Sequence, residues 1–315
     1  MSEFFDAVEV FFEHLAAVQW TALGIALLFH VARLVVRTFA WRTILAAAYP
    51  ETRVPLPGVF GAYVAGVGVN AIFPARAGDL VKLLLVHRRI EGAHYPTLGA
   101  TLLVETLFDF VVATLLFVWA LKLGVLPGLD VLPNLPSIDF SWMVRHPRLA
   151  AIVAGCVFVA LAIVSWWGIH RVRAFWQEVG QGLAILRDRG RFFRGVVTWQ
   201  TLSWVFRLAS AYYFLKAFAI PAGLENALLV LVVQGLSTMM PFTPGGAGTE
   251  QGLIAYVFRD EAGTAALLSF SVGMKIAIIA VNAALGFAAI GIMLRTFRWR
   301  RAVRSEDGLA EQSQQ

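Results

Sequence analysis

The chain has 315 residues, of which 59% are hydrophobic and only 15% are charged, and its mean hydropathy is +0.72. Soluble domains contain about 25% charged residues, so this composition excludes an ordinary soluble protein and predicts an integral membrane protein. The net charge of +6 does not indicate a nucleic-acid partner, because the arginines lie in short segments beside apolar runs, as the positive-inside rule describes.

The first part of the chain predicts two full membrane spans with a broken apolar stretch between them. Residues 1–16 are acidic and predict an amphipathic segment at the membrane surface. The runs 17–40 and 97–121 both exceed the ~20 residues that are needed to cross a bilayer. Between them, 56–73 is apolar, stops at an interruption that contains Pro and Gly, and continues as 80–87.

The second part predicts three more spans and a second broken stretch. Residues 123–147 form a loop rich in proline, 149–169 is a span without charged residues, and 170–194 is polar with six arginines. The apolar stretches that follow are 196–219, 225–243, 251–258 and 264–294. Residues 296–315 begin basic and end polar, and we expect them to form a cytoplasmic tail with a disordered end.

The basic segments predict the orientation of the chain. Those expected in the cytoplasm are Arg42, Arg53, Arg88, Arg89, residues 170–194 and the C-terminal tail. The N-terminus and the loop 123–147 are then outside. This assignment requires that 56–73 and 225–243 enter the membrane and turn back as re-entrant hairpins. Broken backbone at membrane depth is tolerated only inside protein or beside water, so both breaks are predicted to lie within the bundle.

The predicted fold is therefore an all-α integral membrane bundle with about five full transmembrane helices and two re-entrant helical hairpins. Residues 17–295 form a single polytopic domain, whose halves are 17–122 and 196–294, linked by 123–195.

An internal repeat relates the two halves. An offset of 170 residues, without a gap, places Pro74 on Pro244. It also places Arg37 on Arg207, each within a predicted span. The copies are predicted to be inverted, because the first span of each half runs in the opposite direction, as in many secondary transporters. The alternative is that hydrophobic helices merely resemble one another.

Several ionisable residues lie within the apolar runs. Such a residue costs about 2.5–3.5 kcal/mol at the centre of a membrane helix, so it indicates function or pairing. Glu105 and Asp109 are four residues apart and share one helix face. Either they form a salt bridge with Arg76 or Lys82, or they contact a headgroup or relay a proton. Arg207 lies near the middle of its span, which favours function.

Two more arginines lie on the first span. Arg33 and Arg37 share a helix face near the predicted cytoplasmic end. Their guanidinium groups either extend to the membrane surface or take part in function, and the sequence leaves both interpretations open.

The two breaks provide further polar groups. Arg76, Asp79 and Lys82 follow the first break and are predicted to group at a helix N-terminus, which favours anions. The second break contains three glycines, which either let the backbone approach a ligand or only turn the chain tightly. Glu250 and Lys275 complete the polar centre. The predicted substrate-binding residues are Asn70, Pro74, Arg76, Gly78, Asp79, Lys82, Glu105, Asp109, Arg207, Pro244, Gly245, Gly246, Gly248, Glu250 and Lys275.

No catalytic or metal-binding residue is predicted. The single cysteine and the histidines lack the spacing of metal ligands, so we expect no metal and no cofactor. The long loop has no combination of nucleophile and base.

Three stretches resemble the lysylphosphatidylglycerol synthase transmembrane-region family, also described as flippase-like domain proteins. They are Asn70-Ala-Ile-Phe-Pro-Ala-Arg-Ala-Gly-Asp79 with Lys82, the run from Glu105 to Asp109, and Pro241-Phe-Thr-Pro-Gly-Gly-Ala-Gly-Thr-Glu250. The family pattern is N-x-x-x-P-x-R-x-G-E, then a basic residue, then E-R-x-x-D. This chain has Asp79 in place of the Glu, Lys82 for a common Arg, and Thr106 for the Arg after Glu105. The resemblance covers about residues 15–295.

The resemblance implies a bacterial inner-membrane protein that moves a lipid or a lipid-linked headgroup between leaflets. In some relatives the domain is fused to a soluble aminoacyl-transferase, which these 315 residues do not contain, so synthase activity is not expected. The family's additional first span is not found either. The expected partners are membrane lipids. A membrane-embedded transferase with a lipid-linked donor, or a membrane partner of a separately encoded lipid-modifying enzyme, is the alternative.

Overall fold

The computed structural model describes residues 18–73, 77–123, 175–239 and 248–312. Its long helices are α1 Trp20–Ala48, α2 Leu56–Ile72, α3 Ala77–His87, α4 Tyr95–Leu123, α5 Thr198–Ala217, α6 Leu224–Met239, α7 Thr249–Val257 and α8 Thr264–Gln312. The described residues contain no β-strand. The predicted segment 1–16 and the predicted span 149–169 lie outside the described residues, as does nearly all of the loop between α4 and that span.

Three of these helices are long and apolar enough to cross a membrane, judged by length and composition over the described residues. They are Trp20–Ala48, Tyr95–Ala120 and Thr264–Met293. Together with the all-helical architecture, they confirm an all-α membrane bundle. Helix α5 is not among the three, because Arg207, Gln200 and other polar residues lower its hydropathy. Its complete crossing therefore stays a prediction.

Helices α1 and α5 pack side by side and run antiparallel. The Ser210 hydroxyl donates a hydrogen bond to the Ala26 carbonyl at 2.9 Å. Further along the pair, the Phe39 and Trp199 rings stack with their centroids 5.1 Å apart. As α1 proceeds from residue 26 to 39, its neighbours on α5 go from 210 back to 199. This register fixes which side chains meet across the interface.

Helices α2 and α3 form a hairpin that starts and finishes at one end of the bundle. At its tip, the backbones of α2 and α3 approach closely at Gly66 and Gly78. At its base, Arg42 of α1 donates from Nε to the Val54 carbonyl at 3.1 Å. The His94 amide, just before α4, donates to the Tyr49 hydroxyl at 3.1 Å. The end of α1, both ends of the hairpin and the start of α4 therefore share one end, which we call the basic end.

Helices α6 and α7 enter from the opposite end of the bundle. The base of this second hairpin packs into an apolar core with the end of α5 and the start of α8. There the Phe218 and Phe270 rings meet edge-to-face with centroids 5.8 Å apart. Helices α3 and α7 have 11 and 9 residues and are about 16 and 14 Å long, well short of the ~30 Å hydrocarbon core. These lengths suit re-entrant hairpins, which stay a prediction.

The helix bounds in the two halves agree with the predicted repeat. A continuous helical segment begins at Arg189 and leads into α5. With the offset of 170 residues, the starts of α1 to α4 fall within about two residues of Arg189 and of the starts of α6, α7 and α8. The first helices of the two halves are antiparallel, as inversion requires. The inverted repeat itself, and the division into halves, stay predictions that this agreement supports.

The segments predicted to be cytoplasmic meet at the basic end. The Gln181 amide donates to the Ala48 carbonyl at 2.8 Å, and His94 Nδ1 lies 3.8 Å from the Glu178 carboxylate. The arginine-rich residues 187–194 therefore gather beside the end of α1. Which side of the membrane this end faces stays a prediction.

Helix α8 is longer than predicted. The expected span ended at residue 294 and the polar end of the tail was expected to be disordered, but the helix continues to Gln312. The expectation of a disordered end to the tail is therefore wrong for the residues up to Gln312. Residues 295–312 contain five arginines, two alanines and two glutamates, which favour helices, and no proline to stop one.

Candidate functional site

A charged network lies between two apolar cores. One core lies at the basic end and the other at the opposite end. On α1, the stretch between the buried residues Ala26 and Trp41 contains His30, Arg33 and Arg37, which point towards the other charged helices. The network therefore lies near the middle of the bundle.

Arg37 joins α1 to both acidic residues of α4. Its Nε donates to Glu105 Oε1 at 2.7 Å, and its Nη2 donates to Asp109 Oδ2 at 2.7 Å. The Arg37 side chain is 13% exposed and that of Glu105 is 5% exposed. Charge-assisted bonds of this kind are the strong ones in a protein interior. The partner of the two carboxylates is thus Arg37, not Lys82, and Arg37 does not extend to the surface.

Two aromatic side chains complete this network. The Tyr63 hydroxyl of α2 donates to Glu105 Oε1 at 3.0 Å, and Trp204 Nε1 of α5 donates to Asp109 Oδ1 at 3.0 Å. Each carboxylate therefore accepts from a guanidinium and from an aromatic donor. The Asp109 side chain is 31% exposed, so a ligand can reach it.

Arg207 and Arg33 are less completely bonded. Arg207 donates from Nη2 to Gln234 Oε1 at 3.3 Å and lies over the Trp204 ring at 4.8 Å. Its Nε is buried and has no hydrogen-bond partner within the described part of the chain, and the same is true of Nε of Arg33. Arg33 makes no ion pair within the described residues.

A second ion pair joins the second hairpin to α8. The Lys275 ammonium lies 2.6 Å from Glu250 Oε2. Glu250 is 6% exposed and lies within electrostatic range of Arg207. The predicted polar centre of Glu250 and Lys275 therefore forms, next to the first network.

The tip of the first hairpin forms a third polar group. Lys82 Nζ lies 3.4 Å from Asp79 Oδ1 and 4.2 Å from the centre of the Tyr63 ring, which links this group to the Glu105 network. The Gly78 amide donates to Asn70 Oδ1 at 2.7 Å. The helix N-terminus was expected to offer amides to an anion, but the Gly78 amide is already bonded within the hairpin.

The second hairpin uses a similar local bond. The Gly248 amide donates to Gln251 Oε1 at 2.7 Å, and Gly248 has φ +85°, a conformation that favours glycine. Gly248 therefore starts α7 with its amide satisfied. The predicted site residues Pro74, Arg76, Pro244, Gly245 and Gly246 lie outside the described residues.

Several members of the network are not among the substrate-binding residues predicted from the sequence. For Arg37 the sequence contains a signal of membership in the network, because Arg37 aligns with Arg207 in the repeat and shares a helix face with Arg33. Tyr63 and Trp204 had none, because aromatic residues on apolar helices are usually part of the core. Their roles depend on which helix face meets α4.

The charges of the network leave a surplus of one positive charge within the described residues. The basic members are Arg33, Arg37, Lys82, Arg207 and Lys275, and the acidic members are Asp79, Glu105, Asp109 and Glu250. Lys82 and Lys275 are each paired with a carboxylate, and Arg37 is paired with Glu105 and Asp109. Among the residues that the structure describes, Arg33 and Arg207 have no carboxylate partner. The described residues contain no group of three or more His, Cys, Asp or Glu suited to a metal ion.

An apolar groove runs between α1 and α2 on the outside of the bundle. Its volume is about 300 Å³, and its lining residues are Val35, Thr38, Phe39, Leu56, Pro57 and Phe60. Its walls suit a hydrocarbon chain better than a polar headgroup.

The comparison with known families agrees with this architecture. The family model described as the lysylphosphatidylglycerol synthase TM region matches residues 5–286. Among curated proteins, none matches this chain. The family match covers most of the sequence, including α1 to α7 and about the first half of α8, and it supports a membrane location. The chain belongs to the lysylphosphatidylglycerol synthase transmembrane-region family.

Proposed function

We propose that this protein moves the headgroup of an anionic phospholipid or of a polyprenyl-phosphate-linked lipid between the leaflets of the bacterial inner membrane. The observation that supports this best is the charged network in the middle of an apolar bundle, with Arg37, Glu105 and Asp109 at its centre. Charged groups at membrane depth are expensive, and they usually mark the path of a substrate. A surplus of positive charge suits an anionic headgroup.

The two hairpins supply a means of access from either side. Their bases lie at opposite ends of the bundle, and each contributes a charged residue near the network, Lys82 from the first and Glu250 from the second. In transporters with inverted repeats, one repeat moves against the other around a central site. A headgroup that enters beside one hairpin would leave beside the other.

The hydrocarbon chains of the lipid would stay outside the bundle. Helix α4 exposes large apolar side chains to the surroundings, among them Leu103, Leu107 and Phe110. The groove between α1 and α2 offers a second apolar surface. A lipid could thus keep its chains in the bilayer while its headgroup contacts the network.

The other functions stay alternatives. They are a membrane-embedded transferase that uses a lipid-linked donor and a membrane partner of a separately encoded lipid-modifying enzyme. No contact within the described residues favours either of them. Absence of enzymatic activity is likewise part of the proposal.

Translocation is tested in proteoliposomes with fluorescently labelled phosphatidylglycerol and a membrane-impermeant quencher. We expect the purified protein to accelerate loss of the inner-leaflet fluorescence. Glu105→Gln and Arg207→Ala should each reduce the rate at least tenfold, because each removes a charged group from the network. Arg187→Gln, on an exposed arginine at the basic end, is the matched control and should leave the rate unchanged.

Two results would contradict the proposal. If well-folded Glu105→Gln and Arg207→Ala both transport at the rate of the unaltered protein, the site is wrong. If the protein moves neither labelled phospholipids nor polyprenyl-phosphate lipids, the proposed translocation is wrong. Turnover of a labelled lipid donor would then favour the transferase, and co-purification of a partner enzyme would favour the membrane-partner function.

A further inference from the structure

The apolar groove between α1 and α2 lies on the side of α1 that faces away from the charged network. Val35, Phe39 and Arg42 are four and then three residues apart, so they fall on one face of α1. At 3.6 residues per turn, Arg33 and Arg37 fall about half a turn round the helix from that face. The groove is therefore a separate surface from the network.

The walls of the groove suit hydrocarbon only. Thr38 is buried, and its hydroxyl already donates to the Leu34 carbonyl of its own helix at 2.9 Å. Val35 and Phe60 are each 36% exposed, so the groove is open to the side. Its volume of about 300 Å³ suits one hydrocarbon chain, whereas an α-helix with its side chains is about 10–12 Å wide. In a bilayer, such a groove is filled by lipid rather than by water.

The groove runs from the basic end towards the middle of the bundle. Helix α2 starts at the basic end, so Leu56 and Pro57 line the near part of the groove and Phe60 lines the deeper part. On α1, Arg42 lies seven residues beyond Val35, which is about 10 Å closer to the basic end. A chain that enters from the basic end would therefore lie along the groove, past its near end, which we call the mouth.

Arg42 is fixed at the mouth. Its Nε donates to the Val54 carbonyl at 3.1 Å, two residues before α2 starts. The side chain is exposed and makes no ion pair with any residue that the structure describes. Glu51 and Arg53, both exposed on the same loop, offset each other in charge. The terminal nitrogens of Arg42 thus remain for an anion, and a planar guanidinium suits phosphate oxygens.

We propose that the groove holds one acyl chain of an anionic phospholipid from the leaflet at the basic end, with its phosphate at Arg42. An apolar groove that ends at a fixed cation matches a molecule with a hydrocarbon chain and an anionic head. Basic pockets between transmembrane helices bind lipid headgroups in this way. This lipid contacts both α1 and α2, so it would brace the base of the first hairpin against α1.

The bound lipid is additional to any lipid that the protein transports. Its phosphate lies on the far side of α1 from Arg37, and the exposed surface of α4 stays available to the chains of a lipid whose headgroup contacts the network. The inference therefore goes beyond the proposed translocation and does not depend on it.

Native mass spectrometry counts the lipids bound to the full chain after it is delipidated in an uncharged detergent and given dioleoyl phosphatidylglycerol. Val35→Trp fills the deep part of the groove, and Arg42→Gln removes the cation at its mouth. We expect each variant to bind one lipid fewer than the unaltered protein, or to bind that lipid at least tenfold more weakly. Arg42→Lys, which keeps the charge, should lose less.

The matched controls change similar side chains elsewhere. Ile25→Trp adds the same bulk at a residue of α1 that is 38% exposed and does not line the groove. Arg187→Gln removes an exposed arginine from the same end of the bundle. Both should bind as many lipids as the unaltered protein.

Two further lipids separate the headgroup from the chain. Dioleoyl phosphatidylcholine has the same chains without a net charge, and it should bind the unaltered protein and Arg42→Gln equally. Dihexanoyl phosphatidylglycerol has the same headgroup but chains too short to reach Val35, and it should bind the unaltered protein and Val35→Trp equally. Dioleoyl phosphatidylglycerol should also raise the melting temperature of the unaltered protein more than that of either variant, because a ligand of the folded state stabilises it.

Three results would overturn the site. They are an equal number of bound lipids in Arg42→Gln and the unaltered protein, equal affinity for dioleoyl phosphatidylcholine and dioleoyl phosphatidylglycerol, and a large fall in the melting temperature of Val35→Trp without lipid. The last would show that another segment of this chain, or a second copy, covers the groove.

The outcomes also separate this inference from the proposed function. Glu105→Gln should stop translocation and still bind the lipid in the groove. If no lipid is translocated but Val35→Trp and Arg42→Gln each bind one lipid fewer, the site stands and the transport function fails. If translocation is observed and both variants bind as many lipids as the unaltered protein, only the site is wrong.

Discussion

Arg37 supplies the positive charge that pairs with two acidic side chains of α4. It contacts Glu105 at 2.6 Å and Asp109 at 2.7 Å, and it comes from a different helix. A lone carboxylate at this depth would be costly, and two adjacent ones would also repel each other. The family's usual Arg beside Glu105 is Thr106 here, which is exposed and bonded to its own helix backbone at the Leu102 carbonyl. The pairing of Glu105 therefore does not need a basic residue at that position.

Replacing Arg37 should reduce the stability of the protein more than replacing Glu105. Arg37→Gln leaves Glu105 and Asp109 without a cation, and we expect a loss of stability of about 3–5 kcal/mol. Glu105→Gln leaves Arg37 paired with Asp109 and keeps an acceptor for Tyr63, so we expect a loss of about 1 kcal/mol. Thermal unfolding of the purified protein in detergent measures both.

Arg53→Gln is the matched control for Arg37→Gln, because Arg53 is exposed at the basic end. It should leave the melting temperature unchanged. A melting temperature of Arg37→Gln equal to that of the unaltered protein would show that the ion pair contributes nothing to the fold.

At the scale of the helices, the position of the first hairpin depends on a close crossing of α2 and α8. A side chain added at Gly286 would meet the Cα of Gly68 at 2.6 Å, so the two backbones are in contact there. The crossing is antiparallel, because Gly61 of α2 approaches Met293 near the far end of the contact. Small residues at such crossings allow helices in membranes to pack tightly.

Gly286→Ala should therefore destabilise the protein. The added methyl group has only backbone to displace, and we expect a loss of about 1–3 kcal/mol from overpacking. Gly291→Ala, on the same helix, meets nothing within 4 Å and should leave stability unchanged or raise it by about 1 kcal/mol through helix propensity. Melting temperatures in detergent compare the two, and equal effects would contradict the close crossing.

At the scale of the whole molecule, the two hairpins give the bundle two different ends. The basic end contains the base of the first hairpin and the arginine-rich residues 187–194, and the opposite end contains the base of the second. If positive charge decides orientation, the basic end faces the cytoplasm. Glu91 and Glu261 are exposed markers of the two ends.

Cysteine labelling tests this orientation. With Cys156 replaced by Ala, Glu91→Cys should react with a membrane-impermeant maleimide only after the cells are permeabilised, whereas Glu261→Cys should react in intact cells. Reaction of both from the same side would show that the two hairpin bases do not lie on opposite sides of the membrane. Reversed accessibility would leave the fold unchanged and overturn the orientation.

The sequence by itself determined the membrane class and, within the described residues, which apolar segments form helices and where these helices end at the two breaks. Long apolar runs leave the backbone no partner except its own helix in a bilayer, so composition and length suffice for these features. The sequence also pointed to five members of the charged network, because an ionisable residue in an apolar run is visible without a structure. These are Glu105, Asp109, Arg207, Glu250 and Lys275. It could not determine whether the polar end of the tail is helical, since the same composition occurs in disordered chain.

Only the tertiary structure decided which of these charges meet. Arg37 is 68 residues from Glu105 in sequence, and their contact requires a particular rotation of α1 against α4 that no local pattern specifies. The same holds for Tyr63 and Trp204, whose donor groups matter only because of the helix faces they occupy. The register of α1 and α5 places Arg33 and Arg207 on facing helices about one helical turn apart. Side-chain packing over the whole interface sets that register, and packing is a property of both helices together.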